Sequence, residues 1–277
     1  MPGSSNSTTI AKPASEQSAN DITRVIGRFP YRMALAGGWI DQPFVSRHNP
    51  QPPGSMVVVS LQPQYWMMDR CGMANSTRKV ALRLWPNGLP DGDPAELARC
   101  LYAAENEGKA EPSGSQDMIG LIYPGISRLD FDAACQGGVF PCHVETNTDP
   151  AAAAWLESVF YLIPVAPRPP GYSPLGVKNL DPRWIERLGR CGQVCFDAIQ
   201  RADLGSLAAA MNESMLCWEA ILPHTVRHPA IQLDLMGLLK YYQEHYAGAM
   251  YSGCGGGYLF VVSDVPVPGG ARVKIRL

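Results

Sequence analysis

Three consecutive glycines, Gly255–Gly257, stand between two apolar runs in "GAMYSGCGGGYLFVVSD", and strand, glycine turn, strand is the arrangement that accommodates them. A tight hairpin needs fewer glycines, and each costs conformational entropy when it is ordered. The surplus therefore points to a backbone that must approach another segment or a ligand closely. "YRMALAGGWIDQP" poses the same question upstream, where an alternating stretch ends on Gly37 and Gly38 and is followed by Asp41. Both clusters are expected to line one ligand site.

With 277 residues, 46% of them hydrophobic, the chain can bury one large core or two modest ones. The 23 Lys and Arg nearly balance 25 Asp and Glu, for a net charge of −2, and no basic stripe interleaves with aromatics. That argues against a nucleic-acid partner and for a small-molecule ligand. Residues 1–22 are polar and low in apolar content, the composition of a disordered tail rather than of a secretory signal or anchor. No stretch approaches the roughly 18 apolar residues of a membrane span, so the expected location is the cytoplasm. The eight cysteines are scattered without a CxxC pair and read as buried, reduced thiols. His224 and His228 have helical spacing, but Pro223 and Pro229 bracket them, which favours a loop over a metal pair.

Along the chain, "ITRVIGRFPYRMALAGG" alternates as a strand or hairpin, residues 42–54 read as a proline-rich loop, and "SMVVVSLQP" is a buried strand. "MANSTRKVALRLW" predicts a helix capped by the short polar residues Asn75, Ser76 and Thr77. "DPAELARCLYAAENEG" predicts a second, opened by Asp93–Pro94 and stopped at Gly108. In the second half "WLESVFYLIPVAP" reads as a strand. Three amphipathic helices follow in "PRWIERLGRCGQVCFDAIQRA", "LGSLAAAMNESMLCWEAIL" and "IQLDLMGLLKYYQEHYA", and "ARVKIRL" closes the chain as an edge strand. Strands and helices interleave without a strict βαβ rhythm, so the fold class is α+β in two lobes, 23–150 and 151–277.

Four stretches concentrate chemistry. Arg32 and Asp41 flank a glycine turn, where they can offer a cation and a hydroxyl acceptor to one pocket, or serve as a surface arginine and a turn cap. "CGMANSTRKVA" gives a helix start with free N–H groups beside hydroxyls, which suits either a phosphate or an ordinary cap, and Ser76 is a candidate Mg²⁺ ligand. No Walker A loop is present. In "ENEGKAEPSGSQD", Glu105 and Asp117 can fold back into one site, Glu105 holding metal and Asp117 accepting or orienting a hydroxyl proton, while Glu107 and Glu111 read as surface charge. "GCGGGYLF" allows a backbone to close over a phosphate.

In this order the motifs resemble the galactokinase, homoserine kinase, mevalonate kinase and phosphomevalonate kinase superfamily, the GHMP kinases. "R-x-x-L-A-G-G-W-x-D-x-P" is most similar to sugar kinases acting on fucose and heptose 7-phosphate. The resemblance implies an ATP- and Mg²⁺-dependent kinase that phosphorylates a hydroxyl of a monosaccharide or sugar phosphate, the anomeric one being favoured. It implies that Gly72, Met73, Ala74, Asn75, Ser76 and Thr77 cradle ATP phosphates, with Gly255 and Gly256 beside them. Ser76 and Glu105 are implied as Mg²⁺ ligands, and Asp117 as base or hydroxyl orienter with Arg32 beside it. Asp41, Gly38 and Gly257 would meet the acceptor. Only 31 positions separate Asp41 from Gly72, which implies a shortened N-terminal lobe whose exposed strand surface a second copy could cover, giving a homodimer. The alternative function is a non-catalytic binding protein of the same fold.

Overall fold

The computed structural model describes residues 29–277 apart from Tyr65, Ala110 and Glu111, so the expected tail over 1–22 and the start of the first expected strand lie outside the described residues. The first sheet is antiparallel in the order β1-β2-β3-β4, from Tyr31–Ala34, Gly54–Leu61, Ile126–Phe131 and His143–Asn147. The second has the order β5-β7-β6, from Phe160–Ala166, Gly256–Val262 and Gly248–Gly253, again antiparallel. Around them run α1 (Pro43–Ser46), α2 (Asn75–Leu84), α3 (Pro94–Asn106), α4 (Gln116–Ile122), α5 (Pro150–Val159), α6 (Pro182–Gln200), α7 (Leu204–Ile221) and α8 (Leu235–His245).

Strand β2 is buried along its whole length because both of its faces are covered. Val58 meets Gly120 of α4 on one face, while Val57 points to the other, where its cross-strand partner Arg128 stacks its guanidinium over Phe196 of α6. A strand covered twice shows a continuous β-branched run rather than alternation, which is what "MVVV" is. Helix α6 belongs to the second half of the chain, yet it packs on β2 of the first sheet. The C-terminal segment bridges both sheets, pairing Ile275 with Leu61 and Ala271 with Leu162.

Several expectations need correction. "WLESVFYLIPVAP" is not one strand: α5 runs through Val159 and β5 begins at Phe160, with no glycine or proline to mark the switch. Residues 42–54 contain a single helical turn, α1, opened by Pro43. "ARVKIRL" forms isolated bridges, not a strand. Helix α2 is not capped by Asn75, Ser76 or Thr77. Its N-cap is Ala74, held at φ +58° without a side-chain cap. All eight cysteines are free, but Cys100 and Cys142 are exposed and Cys135 is half-buried. His224 falls in a 3₁₀ turn over Pro223–Thr225, and His228 follows it in a loop, the two rings meeting edge-on at 4.9 Å.

Candidate active site

Arginine on a strand is normally solvated, but β1 buries Arg32 and α4 supplies its partner. The guanidinium pairs with Asp117 through Nη2 and Oδ1, and its Nη1 donates to the Gly72 carbonyl at 3.3 Å. Room for the arginine stem comes from Gly120, one helical turn beyond Asp117. A Cβ there would lie 2.1 Å from Arg32 Cγ. The Thr77 hydroxyl donates to the other Asp117 oxygen at 3.3 Å, so α2 is tied to the same carboxylate. Burial lowers the Arg32 pKa to about 10, with Arg168 nearby pushing the same way, and Asp41 and Glu105 opposing it.

Two cavities meet at this ion pair. One of about 240 Å³ is lined by Trp39, Gln42, Gln116 and Trp218, and the other, of about 510 Å³, by Asp69, Ala74, Asn75, Ser76 and Tyr172. Arg32, Gly72, Asp117, Arg168 and Pro174 line both and form the seam between them.

The larger cavity faces the start of α2. With Ala74 left-handed and no side chain capping the helix, the first-turn N–H groups are left for a ligand, and the dipole favours an anion. Ser76 is exposed at this cavity. The Asn75 amide instead donates to the carbonyls of Met67 and Met68, at 3.1 and 2.6 Å, and fixes the preceding loop. Met73 and Thr77 are fully buried beneath the surface that Ala74, Asn75 and Ser76 present.

The smaller cavity is walled by the glycine turn after β1. Helix α7 holds that turn at two points: the Gly37 N–H donates to Ser214 Oγ at 3.1 Å, and Trp218 Nε1 donates to the Gly38 carbonyl at 2.9 Å. Trp39 is thereby kept at φ +83°, a conformation a bulky residue adopts only under constraint. Opposite lie Ser252 and Gly253 at the end of β6 and Cys254 in the turn that follows. Burial pushes the thiols of Cys71 and Cys254 up to about 11, so neither is a nucleophile near neutral pH.

Asp41 and Glu105 sit behind the cavity walls. Asp41 is fully buried, lines neither cavity and has no well-aligned donor on either oxygen, although the amides of Gln116 and Gln42 lie close enough to favour its charge. Burial raises it to about 6, partly offset by Arg32. Gly114 makes space for it, since a Cβ there would fall 1.8 Å from Asp41 Oδ2. Glu105 is buried, with Lys109 at 3.4 Å from Oε1 and no donor on Oε2. A buried oxygen without a donor has the character a hard cation satisfies, and the exposed Ser76 hydroxyl at the larger cavity is a further oxygen ligand candidate. Among the described residues no group of three or more His, Cys, Asp or Glu converges as a metal cage.

Gly255 in the β6–β7 turn and Gly256 and Gly257 at the start of β7 stand behind Ser252–Cys254. Gly255, Gly256 and Gly257 have φ of +73°, +118° and +94°, and their faces press on the Tyr172 ring and the carbonyls of Ala166 and Cys71. They line neither of the two cavities, whereas Gly38 lines the smaller one. The sequence reading missed Arg168, Trp218, Gln116, Gly114 and Gly120. The last two carried a legible signal as the glycines on either side of "SQDMI".

No protein-family model matches the sequence, and no curated protein is significantly similar to it. Solved structures do match in fold. A galactokinase of Lactococcus lactis complexed with galactose aligns at a TM-score of 0.58 and 12% identity over 91% of this chain and 91% of its own. The mevalonate kinase of Methanococcus jannaschii gives 0.55 at 11% identity, over 85% and 89%. A putative sugar kinase from Campylobacter jejuni gives 0.52 at 17% identity, over 86% and 87%. The chain thus has the α+β fold of the GHMP kinases that its motifs resemble.

Proposed function

We propose that the protein is an ATP- and Mg²⁺-dependent kinase that transfers the γ-phosphoryl group to a hydroxyl of a monosaccharide or sugar phosphate, the anomeric hydroxyl being favoured. The observation that carries this reading is the Arg32–Asp117 pair at the seam of two cavities, one opening on an uncapped helix N-terminus. The larger cavity takes the nucleotide, its phosphates on the N–H groups of residues 74–76. The smaller, at about 240 Å³, admits a hexose-sized acceptor between Trp39 and Trp218. Asp117 orients the acceptor hydroxyl and receives its proton, and Arg32 holds that carboxylate in place. Asp41 acts from behind by presenting the amides of Gln42 and Gln116, which line the acceptor cavity.

Ser76 and Glu105 would hold Mg²⁺, which supplies charge neutralisation for the phosphates. The chain itself supplies positioning and exclusion of water, the main protein contributions to phosphoryl transfer. Titration calorimetry with ATP·Mg²⁺, followed by a transfer screen over sugars and sugar phosphates, tests the reading. Tight nucleotide binding with no transfer to any sugar favours the non-catalytic alternative, and no nucleotide binding refutes the kinase.

A further inference from the structure

Arg168 follows β5 in "VAPRPPGYSP" and lines both cavities beside Asp117. Among the described residues its guanidinium makes no hydrogen bond or ion pair, and its Nε is buried without an acceptor. Its position is built rather than incidental. Gly253 leaves the space it occupies, since a Cβ there would lie 2.6 Å from Arg168 Nη2 and 2.9 Å from Gly72 Cα. Its backbone N–H is fixed by the Arg70 carbonyl at 3.0 Å. The neighbouring cation, Arg32, is already paired with Asp117, so the residues lining both cavities set two guanidiniums against one carboxylate. A partly buried, unpaired guanidinium held against another arginine is costly unless an anion completes it.

We propose that Arg168 is a catalytic residue that binds the transferring phosphoryl group. This rests on the kinase reading above. The seam is where a phosphoryl passing from the larger cavity to the smaller one must lie, and a planar guanidinium matches its equatorial oxygens. In the step, the bond from the γ-phosphorus to the β,γ-bridging oxygen breaks and its electron pair stays with ADP. The acceptor oxygen bonds the phosphorus, and the hydroxyl proton passes to Asp117. Arg168 keeps all its protons and neutralises charge on the moving group.

The test compares ADP·Mg²⁺ with the non-hydrolysable triphosphate AMPPNP·Mg²⁺ by calorimetry on wild type, Arg168→Ala and Arg168→Lys. For Arg168→Ala we expect AMPPNP affinity to fall about 10-fold or more with ADP affinity unchanged. Turnover should fall about 100-fold, with partial rescue by added guanidinium and by the lysine variant. Gly253→Ala, which pushes the guanidinium aside, should show the same selective loss. Equal losses for ADP and AMPPNP, or none, overturn the assignment to Arg168 alone. So does a rise in acceptor KM with kcat and triphosphate binding intact, which would give the guanidinium to an anionic acceptor. Wild type that binds neither nucleotide refutes the kinase reading, and this proposal with it.

Discussion

Replacing Asp41 by asparagine should change how stability depends on pH. Burial lifts the carboxyl from 3.8 to about 6, against the opposing attraction of Arg32. A carboxyl raised in the folded state binds its proton more tightly there than in the unfolded chain. Its favourable contribution is therefore complete below about pH 4 and is lost as pH rises through about 6. The shift corresponds to about 3 kcal/mol at 1.36 kcal/mol per pH unit. Asp41→Asn carries no titrating group at this position. Its stability relative to wild type should thus be greatest at pH 7.5 and decline by about 3 kcal/mol towards pH 4. At about 2–4 °C per kcal/mol, thermal unfolding of the two proteins across that range resolves the effect. A gap that stays constant with pH would refute the reasoning, because it would mean Asp41 titrates alike in the folded and unfolded chains.

Gly120→Ala gains about 1 kcal/mol of helix propensity but drives a methyl into Arg32 Cγ, an overpacking cost of about 1–3 kcal/mol. Chemical denaturation should show a net loss, with phosphoryl transfer falling further than the unfolded fraction explains. Asp117→Asn should abolish turnover. Sequence alone gives no reason for the fold to suffer, but the Arg32 guanidinium is 6% exposed and loses its partner. Because Asp117 itself is 22% exposed, the destabilisation should fall below the 3–5 kcal/mol typical of a broken buried pair, at about 2–3 kcal/mol. Adding Arg32→Met should restore stability without restoring turnover, as unfolding curves and a transfer assay would report.

Local chemistry made much of the fold legible. The β-branched run of β2, the Asp93–Pro94 start of α3 and the amphipathic periods of α6, α7 and α8 all follow from neighbouring residues. The α5–β5 junction was not legible, since Val159 and Phe160 suit either element and packing decides between them. Strand β4, "HVETN", is a polar edge strand whose identity comes from pairing with β3. In the candidate site, Arg32 and Asp117 could be read from their motifs and do meet. Arg168 could not, because a proline-rich loop hides it and only Gly253 at the end of β6, far along the chain, gives it a place. Trp218 looks like any core tryptophan of an amphipathic helix until its indole is seen on Gly38.

That last contact has a consequence for any attempt to divide the molecule. A fragment ending near residue 150 would retain Arg32 and Asp117 but would lack the tryptophan and serine of α7 that pin the glycine turn, along with Arg168 and the Ser252–Cys254 wall. Co-expressed halves would have to reassemble before either pocket existed, so split versions of this protein should behave as an obligatory complementation pair.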